Sequence, residues 1–536
     1  MASLVVNLLG LVSSLYVIQV LNRYVSYGVS GTLASLTVGV GIAIGAEYLF
    51  RRLRLALAQE IVGDADERLA LGVFGMMLTA RIDALERHPP GKRSELLRGI
   101  ERAEQALGAA NLAALADLPF SALFLLALAL LSGPLAMVAV LFCALSALIA
   151  WRGQQQLARP LGDLAQFGEH LGGLISSTIV AADTIRHFHG APILMARWLN
   201  TCTMARATRT SVSASQHNSA ALIQTLQALM GAALIAVGAM LVVAGQLDVG
   251  ALIGANLIAA RALSPLTRLV QMGKALTGAE QSLAGARSFA ATSVESEGNK
   301  IPTSWSGRLE LNDVGLVYPG SPAPLFSALN LELKPGSVLA ITGRNGTGKS
   351  SLLRLITGLL APSRGQLLVD GVDLRQISLD WWRRQVCWLP QEPVFLDCTL
   401  RENLIASRPD AGEEMMMHCL TFVGLQEMIN LHPAGLDQTL VAGGRTLAPG
   451  LRRRLAMARA MLVDGPLVLL DEPSEGLDRE GAQTVYSLLI EFARRGKTLV
   501  VISHDPVILN GAKQVLHFDG GEPVLYKAGV VEGASA

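Results

Sequence analysis

The sequence predicts an α-helical six-span transmembrane domain followed by an α/β domain of the P-loop type. Three observations carry this reading. Long uncharged runs crowd into the part before residue 265. Beyond residue 305, short apolar strands alternate with helical patterns, as in an α/β domain. A glycine-rich stretch at 343–351, GRNGTGKSS, stands between a strand and a helix, the setting in which such a loop wraps phosphates. Composition places a membrane part with long intracellular extensions at 1–289, a linker at 290–305 and a nucleotide-binding domain at 306–536.

Hydrophobic residues make up 51% of the 536 residues and charged residues 16%, against about 25% in soluble chains. The mean hydropathy is +0.42. A net charge of +1 gives no bulk attraction to nucleic acid. The cysteines Cys143, Cys202, Cys387, Cys398 and Cys419 are odd in number and form no C-x-x-C pair. They therefore read as scattered reduced thiols, neither a disulfide framework nor a zinc site.

A helical span needs about 20 mostly apolar residues. Leu4–Leu21 is the first. It looks superficially like a signal peptide but lacks a basic leading region and a small-x-small cleavage site, so it reads as a retained helix. Tyr24–Ala46 supplies the second. Leu118–Trp151 is uncharged throughout and broken at Ser132-Gly133-Pro134, which makes two spans and a tight turn. Asn218–Leu247 is the fifth. The sixth is weaker: Val249–Ala260, then Arg261, Pro265 and Arg268, with Pro265 expected to kink or end the helix. Arg51, Arg52, Arg54, Arg152, Arg159, Arg261 and Arg268 fall on one side. The outer turns near 25–30, 132–134 and 245–248 hold no Lys or Arg, so both termini of this multi-pass chain are expected in the cytoplasm. The segments 51–117 and 152–217 are polar and periodic, suited to helices that run on into the cytoplasm and carry motion. Short couplers are expected near 91–98 and 185–192. Two readings of Arg261 stand side by side: an intramembrane charge with a function, or a side chain snorkelling to the cytoplasmic face.

The loop fits G-x-x-x-x-G-K-[ST] from Gly343 to Ser350. Gly343, Gly346 and Gly348, with Asn345 and Thr347 between them, let backbone N–H groups approach phosphate oxygens, and the following helix adds its dipole. Lys349 would reach the β- and γ-phosphates, Ser350 would hold Mg²⁺ and Ser351 completes the cradle. Downstream, LVLLDEP at 467–473 reads as a buried strand that delivers Asp471 toward Mg²⁺ and Glu472 as the base that polarises water. VVISHD at 500–505 is another buried strand, bringing His504 to the γ-phosphate.

With these motifs the chain resembles the ATP-binding cassette exporters along its whole length, as a half-transporter. The resemblance implies an ATP hydrolase coupled to transport, with ATP and Mg²⁺ bound. It also implies that Tyr318 in VYPG stacks on adenine, that Gln391 in WLPQEP links Mg²⁺ to the membrane domain and takes part in catalysis, and that Asp478 in EGLD ends the loop facing a partner. The phrases at 7–25, 116–128 and 245–271 are similar to type I protein secretion exporters of the Gram-negative inner membrane. That implies a secreted polypeptide of the glycine-rich calcium-binding kind, a periplasmic adaptor and an outer-membrane channel. No peptidase-like segment precedes the first span, so leader processing is not expected. Alternatives are a heterodimeric exporter of small molecules, of the thiol or cytochrome-assembly type, and a regulatory subunit that binds ATP without turnover.

One motif departs from the family pattern. Leu-Ser-Gly-Gly-Gln is replaced by Leu447-Ala448-Pro449-Gly450-Leu451, and Ala442 stands where an acidic residue is usual. Ala448 has no hydroxyl for the opposite γ-phosphate, Pro449 no N–H, and Leu451 no amide. A full catalytic set beside a degenerate signature leads to the expectation of an asymmetric heterodimer with a second half-transporter. A slowly hydrolysing homodimer is the alternative.

Overall fold

The structure is a computed structural model that describes residues 2–25, 28, 30–88, 90–291, 294–295, 298–318, 320–321, 323–520 and 522–527. Part of the outer turn at 25–30, positions 292, 293, 296 and 297 of the linker, and Pro319 after Tyr318 lie outside the described residues. The chain divides into two compact units, Met1–Ala80 with Ala84–Val294, and Arg81–Asp83 with Glu295–Ala536.

The chain up to Ala290 is helical: α1 Ala2–Gln19, α2 Ser30–Thr79, α3 Ile82–Glu86, α4 Pro90–Ala106, α5 Ala109–Leu115, α6 Phe120–Leu131, α7 Gly133–Val180, α8 Ala182–His187, α9 Ala191–Val243 and α10 Val249–Ala290. Among the described residues six helical segments are long and apolar enough to cross a membrane. α2, α7 and α9, with 50, 48 and 53 residues, each run roughly 70–80 Å at 1.5 Å per residue, far beyond a hydrocarbon core of about 30 Å. The turn inside the uncharged run is a single residue, Ser132, with Pro134 in the first turn of α7, where a missing N–H costs nothing.

Two sequence expectations need correction. Pro265 neither ends nor shortens the sixth span: it is buried inside α10, which continues to Ala290. A proline there loses one intrahelical bond, which packing on both sides tolerates. The stretch 91–98 is not a short helix of its own but part of the longer α4; the short helix in this region is α3. The second expected position overlaps α8, after which His189 turns the chain at φ 54° into α9.

α10 lies at the centre of the packing. Ala255, Ala259, Ala262 and Leu263 are fully buried among Phe124, Leu128, Leu135, Met230 and Leu234. Small residues let α1 approach: a Cβ on Gly254 would lie 2.2 Å from Ile18 Cγ1. Arg261 is drawn against α1 as well. It donates to Ser13 Oγ at 2.9 Å, and a Cβ on Gly10 would sit 2.4 Å from its Nη1. Nearby, Asp117 accepts from Arg54 Nη1 at 2.7 Å and Asn7 Nδ2 at 3.0 Å, with Arg268 at 3.9 Å, so one carboxylate ties α1, α2 and α10 together.

The second unit is an α/β domain. An antiparallel sheet takes the order β2 (Phe326–Leu333), β1 (Leu309–Leu316), β4 (Arg364–Val369), β5 (Val372–Asp373). The main sheet takes the order β10 (Val524–Lys527), β9 (Gln514–Phe518), β3 (Val338–Gly343), β8 (Thr498–Ile502), β7 (Leu467–Asp471), β6 (Val386–Leu389), parallel except at β10. Parallel strands covered on both faces read as continuous apolar runs, which is why 467–470 and 499–502 lack alternation. The helices are α11 Lys349–Ile356, α12 Leu379–Arg383, α13 Leu400–Ile405, α14 Glu413–Phe422, α15 Gln426–Leu431, α16 Pro449–Val463, α17 Arg479–Arg494 and α18 Pro506–Gly511. The stretch expected as a linker is partly seated on this unit. Glu295 pairs with Arg383 at 2.7 Å, Lys300 pairs its backbone with Gln376 and Ile377, and Trp305 meets Trp382 edge-on at 5.0 Å.

Candidate nucleotide site

Register brings the site together. Ile341 of β3 and Asp471 of β7 both pair with Ile502 of β8, so the carboxyl ends of three neighbouring strands finish side by side. Ligands of open α/β sheets bind at such ends. From β3 the chain enters the loop through Gly343 at φ 135°, where a Cβ would lie 1.9 Å from Phe518 O. Gly348 at φ 105° leads into α11 and leaves no room for a Cβ, because Leu325 packs 2.7 Å away. Only glycine satisfies both the backbone angle and the space. Asn345 and Thr347 lie in the turn between them, and Thr347 Oγ1 fastens it to Arg344 O at 2.8 Å.

The Lys349 ammonium folds back onto this loop, donating to Gly343 O at 2.6 Å and Arg344 O at 2.8 Å. Its pKa is lowered by burial, against the pull of Glu472 and Asp471. Ser350 donates to the Asp471 carboxylate. Burial raises the Asp471 pKa, opposed by that hydrogen bond and by Lys349. A hydroxyl and a carboxylate oxygen side by side at the head of α11 are hard ligands of the kind Mg²⁺ takes together with water and phosphate oxygens, so this pair fits the ion.

Glu472 has φ 45°, a left-handed conformation costly for a non-glycine residue, pinned by its N–H bond to Ile502 O at 3.0 Å. Burial raises its pKa, helped by Asp471 and Glu475. His504 Nε2 stands 3.5 Å from Glu472 Oε1. Tyr318 reaches the loop through a hydrogen bond between its hydroxyl and Ser351 Oγ at 3.1 Å. Gln391 Nε2 donates to Glu475 Oε2 at 3.3 Å.

Sequence reading missed one residue that holds these parts in place. Arg453 of α16 is buried and donates to three main-chain carbonyls: Glu472 O at 2.9 Å, Gln391 O at 2.6 Å and Glu475 O. One guanidinium thus fixes the segments carrying Gln391 and Glu472 against each other. Its signal was weak, since RRR at 452–454 reads as the solvated start of a helix. Nothing local distinguishes Arg453 from its neighbours except the buried phase of the helix.

The altered motif is not drawn to this site. Ala448 caps α16 without a side-chain bond, and Pro449 takes the first helical position. Arg452 N–H already bonds Ala448 O at 2.9 Å. With Pro449 lacking an N–H, the N–H groups of Ala448, Gly450 and Leu451 are left for an anion at this end. No hydrogen bond or ion pair among the described residues links 448–451 to the phosphate loop. Asp478 caps α17 through Gly481 N–H at 2.8 Å and pairs with Arg454 at 3.2 Å. Ala442, Gly443 and Gly444 form three successive left-handed residues at φ 52°, 67° and 78°.

Known proteins resemble both units of the chain. The profile of the ABC transporter transmembrane region matches residues 1–266, and that of the ABC transporter matches 326–475. The type I secretion system ATP-binding protein PrsD of Rhizobium meliloti is 25% identical over 97% of this chain and 89% of its own length. The alpha-hemolysin translocation ATP-binding protein HlyB of Escherichia coli O157:H7 is 24% identical over 96% of this chain and 73% of its own. The ATP-dependent lipid A-core flippase of Neisseria meningitidis serogroup A is 34% identical over 228 residues, which is 42% of this chain and only 37% of the flippase. The solved structure of a bacterial Atm1-family ABC exporter with ATP bound superposes with a TM-score of 0.84 at 19% identity, covering 98% of this chain and 94% of that one, a likeness of fold.

Proposed function

The chain belongs to the ABC transporters, carrying a transmembrane region and a nucleotide-binding domain in one polypeptide, and from that premise we propose that it hydrolyses ATP to drive export across a bacterial inner membrane. Its cargo is a polypeptide, and it serves as the ATPase and permease subunit of a type I secretion system with a periplasmic adaptor and an outer-membrane channel. Both termini are cytoplasmic. One observation carries the ATPase reading: a phosphate loop, a hydroxyl–carboxylate pair and a carboxylate–imidazole pair converge at the ends of β3, β7 and β8. The polypeptide cargo is supported by relatives that match nearly the whole chain and whose names state protein secretion or toxin translocation. A lipid cargo is the second reading. Higher identity to the flippases favours it, over less than half of the chain.

The residues divide the work. Lys349 exchanges its two carbonyl partners for phosphate oxygens, a stronger charge-assisted pairing. Loop N–H groups after Gly343 hold the remaining oxygens, and Tyr318 supports the adenine. Ser350, Asp471 and Gln391 would hold Mg²⁺, which would neutralise charge on the transferring phosphoryl group. Glu472, with its raised pKa, polarises the attacking water, and His504 keeps Glu472 in line. A second half-transporter supplies an intact signature to this site, while Ala448 and Pro449 leave the reciprocal site weak.

The test uses the complex assembled in membranes. Glu472→Gln should retain Mg²⁺-dependent ATP binding yet lose both turnover and export. Unchanged turnover would remove the catalytic reading. A dimer of this chain alone with robust ATPase activity would remove the heterodimer.

A further inference from the structure

In the first unit, α4, α7, α9 and α10 border an open cavity of about 670 Å³, within the range of about 300–1,000 Å³ typical of ligand sites. It lies on the polar stretches of these helices. Its α9 residues, Ala205, Arg209 and Gln216, all precede the apolar run that begins at Asn218, and its α7 residues, from Leu161 to Leu171, all follow Trp151. Leucines and Phe167 give it apolar wall between the polar groups.

The lining carries four cations, Lys92, Arg102, Arg209 and Lys274, against two carboxylates, Glu95 and Glu169. Arg102 is committed to Glu95 at 2.5 Å. Lys92, Arg209 and Lys274 have no ion-pair partner among the described residues. The excess positive charge therefore faces the space with little internal compensation. Five glutamines also line the cavity, among them Gln271 and Gln216, whose amide donates to the main-chain Gln271 O at 2.9 Å. A primary amide both donates and accepts, and so matches peptide groups as well as carboxylates. Room is kept by glycine: a Cβ on Gly278 would meet nothing within 4 Å. Along α10 the lining runs from Gln271 to Gly285, roughly 21 Å at 1.5 Å per residue, the length of about six extended residues at 3.3 Å each.

We propose that this cavity binds an extended acidic segment of the transported polypeptide, holding its carboxylates on Lys92, Arg209 and Lys274 and its backbone on the glutamines. The inference rests on the polypeptide cargo of the preceding section and adds a site and a charge preference. A small inorganic anion would share the charge chemistry but not the length.

The full chain in lipid nanodiscs is titrated into a fluorescein-labelled Gly-Ser peptide carrying alternate glutamates, or into its lysine counterpart, with anisotropy as the readout. The acidic peptide should bind at least tenfold more tightly than the basic one. Arg209→Gln with Lys274→Gln should weaken it at least tenfold, and Gly278→Leu, which fills the space without removing charge, by a similar factor. Arg206→Gln, one turn before Arg209 on α9 but outside the lining, should leave it within twofold; each variant must melt as the parent does. Equal binding of the two peptides, indifference to both the charge and the volume variants, or full displacement by millimolar inorganic phosphate would each overturn the proposal. Mg²⁺–ATP occupancy is measured in parallel. Occupancy without peptide binding defeats this site alone, and peptide binding without occupancy defeats the ATPase reading alone.

Discussion

Replacing Arg453 by methionine removes the guanidinium that joins the Gln391 and Glu472 segments while keeping most of the apolar stem. Three carbonyls lose a donor. Glu472 O keeps a second partner, the Glu475 N–H at 3.2 Å, so two are left to be satisfied otherwise. Gln391 and Glu475 are exposed, so the loss is that of two hydrogen bonds to a charged group, about 1.5–3 kcal/mol each, near 4 kcal/mol in all. In a unit of this size 1 kcal/mol moves the melting temperature by about 2–4 °C, so a fall of roughly 8–16 °C is expected. ATP turnover should drop at least tenfold, because the Glu472 main chain, already at φ 45°, loses one of its anchors. Lysine at the same place, able to reach some of these oxygens, should recover part of both effects. The assays are scanning calorimetry and phosphate release by the reconstituted complex. If the methionine variant melted within a degree or two of the parent and turned over at more than half its rate, the clamp would be incidental and the reasoning wrong.

Three further outcomes follow from the same geometry. Glu472 must be ionised to act as a base, and its pKa lies above the ordinary 4.5, so turnover should fall as pH drops through that raised value; Glu475→Gln removes one of the negative neighbours responsible and should shift the acid limb of the pH–rate profile to lower pH. Asp117→Asn strands Arg54 in a largely buried setting, a loss of about 3 kcal/mol, and should lower the melting temperature of the membrane unit by several degrees in detergent, whereas no change would make the cluster an ordinary surface pair. Ala442→Gly relieves a left-handed alanine at φ 52° and should stabilise the second unit by about 0.5–1 kcal/mol, read as a small rise in melting temperature; a fall would mean that the Cβ is needed there.

The phosphate loop, the Asp471–Glu472 strand end and His504 were legible because each is a contiguous motif, with its chemistry carried on a turn or a strand end that the local sequence dictates. The spans were legible for a similar reason: a run of uncharged residues states its own length. Arg453, the partial seating of the linker on Gln376 and Trp382, the course of α10 through Pro265 and the cavity around Lys274 were not. Each joins residues tens to hundreds of positions apart, and no local pattern records which main-chain carbonyl, ring or helix will stand opposite. The amino-acid order by itself settled which chemistry the chain holds and which segments enter lipid, since propensity, period and loop geometry act over a few residues. Only tertiary packing decided how those groups are clamped and where space is left between helices, because burial and register are set by partners distant in sequence.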